Sequence, residues 1–122
     1  MTWDATIDHT RGRGVLRASG AIDLAGSVSA LLAVADDPAL DSHWPIVVDL
    51  TTARYTPSLA DAAKLGTLTA HAATLATHRV AFLTGDTPLF GVAGLLAGMA
   101  SAKGIAARAF KAPDELEAWL AG

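Results

Sequence analysis

Apolar and polar residues alternate one by one at the start of the chain, with Trp3, Ala5 and Ile7 separated by Asp4 and Thr6. Period two is the pattern of a strand with one wet face, and it predicts a strand at a sheet edge. His9 to Gly14 carries two Gly and two Arg without periodicity, which predicts a turn. Val15 to Ser19 then returns as a second strand, so the chain opens on an antiparallel hairpin. From Leu24 the step changes to three and four residues. Leu24, Val28, Leu31, Leu32 and Ala35 make one helical stripe, with Asp23 placed to cap its first turn. Asp36-Asp37-Pro38 ends that helix, and a loop to Pro45 carries His43 and Trp44, the latter expected to lid the core edge.

Ile46-Val47-Val48-Asp49-Leu50 is a short β-branched run closed by a lone acid. Such a run reads as a strand buried on both faces, hence a central one. Thr51 to Tyr55 is expected to be a connection to a helix opening at Thr56-Pro57-Ser58, where Thr caps and Pro suits the first turn. Leu59, Ala62, Leu65, Leu68, Ala72 and Leu75 carry that helix to about Ala76. Arg79 to Thr84 is the next strand, and Gly85-Asp86-Thr87-Pro88 repeats the Thr-Pro device before a helix over Leu89 to Ala102. Ile105 to Phe110 and a helix from Pro113-Asp114-Glu115 complete the order. The expectation is a single α/β domain over 1–122: a mixed, mainly parallel sheet of about five strands with an N-terminal antiparallel hairpin and about four flanking helices.

The Leu89 to Ala102 helix has no polar side. Leu89, Val92, Leu95, Leu96 and Met99 are expected to pack on the sheet, leaving Phe90, Ala93, Gly94, Ala97, Gly98 and Ser101 opposite, with no charge between Asp86 and Lys103. A helix apolar all round is normally covered twice. Either the rest of the chain covers the Phe90, Gly94, Gly98, Ser101 side or a partner does, and the second alternative predicts a homodimer, since Gly94 and Gly98 allow close backbone approach.

Composition narrows the partners. A net charge of -3 with 17% charged residues leaves no basic field for nucleic acid. Zero Cys excludes disulfides and thiol chemistry and suits a cytoplasmic location. The N-terminus has no apolar run of signal-peptide length, and Thr87 to Ala102 falls short of the ~20 residues that a membrane span needs. No membrane insertion is expected.

Candidate chemistry gathers beyond the central strand, where open α/β sheets meet ligands and partners. Asp49, Arg54, Tyr55, Thr56 and Ser58 are the candidates for partner or ligand binding. Arg54 suits a carboxylate or phosphate, and equally a solvated loop. Thr56 and Ser58 lie at a helix N-terminus that would favour an anion, so Ser58 is a candidate phosphosite, although both also read as plain caps. His71 and His78 are expected to be a solvated pair, because a zinc site needs three or four converging ligands. The Gly12-x-Gly14 step precedes a strand where a nucleotide loop would need a helix. No catalytic motif is present, and neither a cofactor nor a metal is expected.

Three segments carry a family resemblance. Val15 to Ala25, with its Gly-x-x-Asp turn at Gly20 to Asp23, the run Ile46 to Ser58, and Phe110 to Leu120 resemble the STAS domains, in particular the SpoIIAA-like anti-sigma-factor antagonist group. The resemblance implies a mixed, mainly parallel sheet flanked by helices and a non-catalytic regulatory module that binds a protein partner. Members regulated by phosphorylation carry Asp-Ser-Ser-Gly after the central strand, whereas this chain has Pro57-Ser58-Leu59-Ala60, so the phosphoserine switch does not carry over beyond Ser58. A relative of this fold, the CRAL-TRIO-like lipid-binding group, implies the alternative of a carrier or sensor of a small apolar ligand or lipid, with the Leu89 to Ala102 helix as its gate.

Overall fold

The computed structural model of the chain describes residues 2–55 and 78–122. Strand β1 (Thr2–Asp8) pairs antiparallel with β2 (Arg13–Ile22), from Thr2 opposite Ser19 to Asp8 opposite Arg13. Helix α1 (Leu24–Ala35) follows, then β3 (Ile46–Tyr55), β4 (Val80–Leu83), α2 (Leu89–Ala102), β5 (Ala107–Phe110) and α3 (Pro113–Ala121). The sheet runs β1-β2-β3-β4-β5, with every pair after the hairpin parallel. The expected edge strand, hairpin, central strand and mixed sheet are all present. Three helices lie among the described residues; the helix expected over Thr56 to Ala76 falls outside them.

Both faces of the sheet are covered because its middle is apolar on both. Leu16, Ile46, Val48, Val80 and Phe82 point to the side of α1 and α2 and form the main core with Val28, Leu31 and Leu89. Val47 and Ala81 point the other way, onto Leu116 and Leu120 of α3. Asp23 caps α1 as expected, its carboxylate accepting from the Gly26 amide at 2.7 Å. Trp44 packs at the rim of the main core, with His9 edge-on to its ring.

Four local expectations are corrected. Thr51 to Tyr55 is not a connection but the second half of β3, with Thr52 to Tyr55 paired with Ser19 to Ile22 of β2. Thr87 does not cap α2: Pro88 holds that position, and the Thr87 hydroxyl donates back to the Thr84 carbonyl. His78 is buried instead of solvated, and its Nδ1–H donates to the Trp44 carbonyl at 2.8 Å, since a carbonyl can only accept.

The fourth concerns α2, which sits on the sheet through Leu89, Ala93, Ala97 and Ala100, with Val92 and Leu96 half-buried beside them. Leu95 is 69% exposed and Met99 39%. Alanines bring the helix axis close to the strands, so the seat falls on the small side and two of the large residues expected beneath the helix stand outside. With no polar face, nothing in the pattern itself sets the rotation.

Close approach also shapes the start of β2. A methyl added at Gly14 would stand 3.0 Å from Val34 Cγ1 and 3.3 Å from Leu40 Cδ1. Gly14→Ala is therefore expected to lower stability by roughly 1–2 kcal/mol through overpacking, read as a reduced urea midpoint with an unchanged slope; an unchanged or raised midpoint would show that α1 gives way freely.

Candidate functional site

The exit of β3 is built around a bulge. Arg17 faces Asp49 across the ladder, but Ser19 faces Thr52, so β3 carries one extra residue where β2 continues unbroken. The burial of β3 shows the slip: Ile46, Val48 and Leu50 are core residues at even positions, and Ala53 and Tyr55 continue the same face at odd ones. Asp49 holds the bulge, its Oδ1 accepting from the Thr51 amide at 3.0 Å and the Thr51 hydroxyl at 2.7 Å. Thr52 closes the far side by donating its hydroxyl to the Ala18 carbonyl. The bulge falls where β4 ends, at the Asp49–Leu83 pair, so beyond it β3 is paired only with β2 among the described strands.

This geometry distributes the candidate residues over two faces of the sheet. Asp49 points to the α3 side, half-buried, with Arg17 Nε 3.7 Å from its second oxygen. Tyr55 points to the α1 and α2 side and lines an apolar cavity. Arg54 is exposed on the last turn of the ladder. Thr56 and Ser58 lie outside the described residues, as does His71. On α2, Phe90 is half-buried beneath Lys111, whose Nζ lies 4.9 Å from the ring centre and 3.7 Å from Asp86. Gly94, Gly98 and Ser101 are exposed, and a Cβ at Gly91, Gly94 or Gly98 would meet open space.

The apolar cavity has a volume of about 40 Å³ and lies between Val28 and Leu31 of α1, Val92 and Leu96 of α2, and Leu50 and Phe82 of the sheet. Room on that scale holds a few waters at most, and its walls offer almost nothing to bond them.

A second, polar cleft lies on the opposite face and was not legible as a site. The β1–β2 turn and β2 contribute Arg11, Arg13 and Arg17, β3 contributes Asp49, and α3 contributes Glu117. Arg13 donates both terminal nitrogens to Glu117, at 2.6 and 2.9 Å, across 104 residues of sequence. Arg79 fastens the other end of α3, donating to the carbonyls of Trp119 and Leu120. Hydrogen bonding from Arg13, followed by the charges of Arg13 and Arg11, holds the Glu117 carboxyl below the usual glutamate range, against an opposing contribution from burial. No group of His, Asp and Glu among the described residues could hold a metal ion.

No protein-family model and no curated protein matches the sequence. Solved structures do. An uncharacterized protein of the DUF3478 family from Shewanella loihica PV-4, described as having a SpoIIAA-like fold, superposes with a TM-score of 0.61 at 15% identity, covering 98% of this chain and 92% of that one. The anti-sigma factor antagonist SpoIIAA in its unphosphorylated form gives 0.54 at 12% identity, covering 96% and 94%. The fold is SpoIIAA-like. The SpoIIAA-like likeness spans nearly the whole of each chain, so the five strands and the helices around them form one architecture and not a shared fragment.

The Arg13–Glu117 bridge yields a pH prediction. Glu117 titrates at lower pH folded than unfolded, so its contribution is fully present above the ordinary glutamate value and is lost as pH falls through the depressed one. With Arg13 12% exposed and Glu117 47%, solvent screens the pair, and Glu117→Gln is expected to cost about 1 kcal/mol at about pH 7. Urea unfolding at a pH below the depressed Glu117 value should bring the two proteins together; a difference that persists there would assign the loss to packing instead of charge.

Proposed function

We propose that this chain is a non-catalytic regulatory interaction module of the cytoplasm. In this reading it docks a protein partner along the Asp49–Ser58 edge and pairs with a second copy of itself through the outward face of α2. The observation that carries the proposal is that outward face. Leu95 and Met99 stand exposed on a helix with no charged residue, beside three glycine positions open to solvent. Contiguous apolar surface of this kind on a soluble fold is characteristic of interfaces. The glycines leave a groove next to a projecting leucine, so a twofold axis across the helix would seat each Leu95 in the other copy's groove. Kinship in fold with a protein named for antagonising an anti-sigma factor supports a regulatory role, and Ser58 is its proposed phosphosite. The Asp49 carboxylate accepts twice from Thr51 and clamps the bulge, which suits a structural hinge of the docking edge better than a general base.

Light scattering at high micromolar concentration is expected to give twice the chain's mass, and Leu95→Lys to return it to the single mass with an unchanged circular dichroism spectrum, the unfolding midpoint falling only by what self-association contributed. A wild-type monomer at that concentration would remove the self-association.

The alternative, a carrier or sensor of a small apolar ligand, is favoured by one observation, the apolar cavity between α1 and α2. At about 40 Å³ it admits a lipid tail only if α2 lifts, so this reading requires a gate. Native mass spectrometry of gently purified protein then shows added mass that organic extraction removes; a bare polypeptide mass from several preparations would end it.

A further inference from the structure

The cleft on the α3 face has a volume of about 430 Å³, with Val15, Val47 and Leu116 along its floor and Arg11, Arg13 and Arg17 on its walls. Its three arginines are balanced in formal charge by Asp8, Asp49 and Glu117, but not in hydrogen-bonding capacity. Each carboxylate accepts from within the chain, Asp8 and Asp49 through one oxygen and Glu117 through both. Asp8 accepts from the Thr10 and Arg11 amides in the hairpin turn. Asp49 accepts from the Thr51 amide and hydroxyl. Glu117 accepts from both terminal nitrogens of Arg13.

The cationic side is not occupied in the same way. Arg17 reaches Asp49 only at 3.7 Å and Arg11 reaches Glu117 only at 3.8 Å, beyond hydrogen-bond length, and both side chains are about two-thirds exposed, at 64% and 65%. Arg13 adds a buried Nε–H without a partner. A guanidinium presents five donors in a planar fork that matches carboxylate and phosphate oxygens. The cleft thus has spare donors around an apolar floor.

We propose that this cleft binds a small organic anion, an apolar body ending in a carboxylate or phosphate, with the body on Val15, Val47 and Leu116 and the anionic group between Arg11 and Arg17. The floor sets the size of the body, and the two loosely held arginines close on the anionic end without breaking the Arg13–Glu117 bridge. This site lies on the face of the sheet opposite the apolar cavity and does not depend on the α2 surface.

The test is an NMR titration of the full chain with benzoate, phenyl phosphate and benzylamine, three probes of similar shape and different charge. Benzoate, phenyl phosphate or both are expected to shift the methyls of Val15, Val47 and Leu116 saturably, and which of them binds tighter names the anionic group. Arg17→Gln and Arg11→Gln alter exposed side chains and should leave the unfolding midpoint in place while weakening binding about tenfold each, the measure of one charge-assisted hydrogen bond. Arg17→Lys, which keeps the charge and loses the fork, should fall between. The proposal is overturned if neither anion shifts those methyls at millimolar concentration, if benzylamine shifts them equally, or if both glutamine variants bind as the wild type does.

Discussion

Everything in this fold follows from three residues that cannot be exposed on either side. Ile46, Val47 and Val48 sit mid-sheet between β2 and β4, and their alternation sends Ile46 and Val48 into one core and Val47 into the other. A strand apolar on both faces is stable only when both faces are covered. That requirement places α1 and α2 on one side and α3 on the other. It also fixes register, because a shift of one residue would exchange the two cores and leave neither filled. The two cores are unequal, since among the described residues the α3 side buries Val47, Ala81, Phe110, Leu116 and Leu120, and beside them lie the charged residues of the cleft.

The bulge after Asp49 is where this double-sided strand becomes single-sided. Up to Asp49 the strand has neighbours on both edges; beyond it, pairing with β4 has ended and β2 is the one described neighbour. One extra residue lets Ala53 and Tyr55 keep facing the main core while Asp49 stays with the arginines behind the sheet. The cost of an unpaired backbone amide at the slip is offset by the Asp49 carboxylate, which takes the Thr51 N–H in place of a strand partner. A residue that looks like the end of a strand is thus the clamp that allows the strand to continue.

That clamp explains what could and could not be read in advance. Ile46 to Leu50 was legible because an uninterrupted aliphatic run has one economical reading, and the hairpin and the α1 cap were legible because their signals are local. Thr51 to Tyr55 was not, since a phase slip of one residue destroys the alternation by which a strand is recognised. The seating of α2 was not legible either: periodicity reports rotation only through contrast between faces, and this helix has none. The arginine cleft was the least accessible. Arg11 and Arg13 are read locally as turn residues, and only the closed fold brings Glu117, 104 positions away, to face them.

Helix α3 shows how the second core and the cleft depend on one another. A helix of nine residues has little stability of its own, so its position is a tertiary property. Leu116 and Leu120 provide the burial, while the Glu117 bridge and the Arg79 cap, both partly solvated, add direction more than energy. The dependence also runs the other way. Arg13 is 12% exposed, and Glu117 accepts from both of its terminal nitrogens, so the helix that fills the second core also orients one wall of the cleft. The apolar seat of α3 and the arginine wall of the cleft therefore share one helix. A substitution that loosens Leu116 or Leu120 would disturb the charged cleft before it reached the main core.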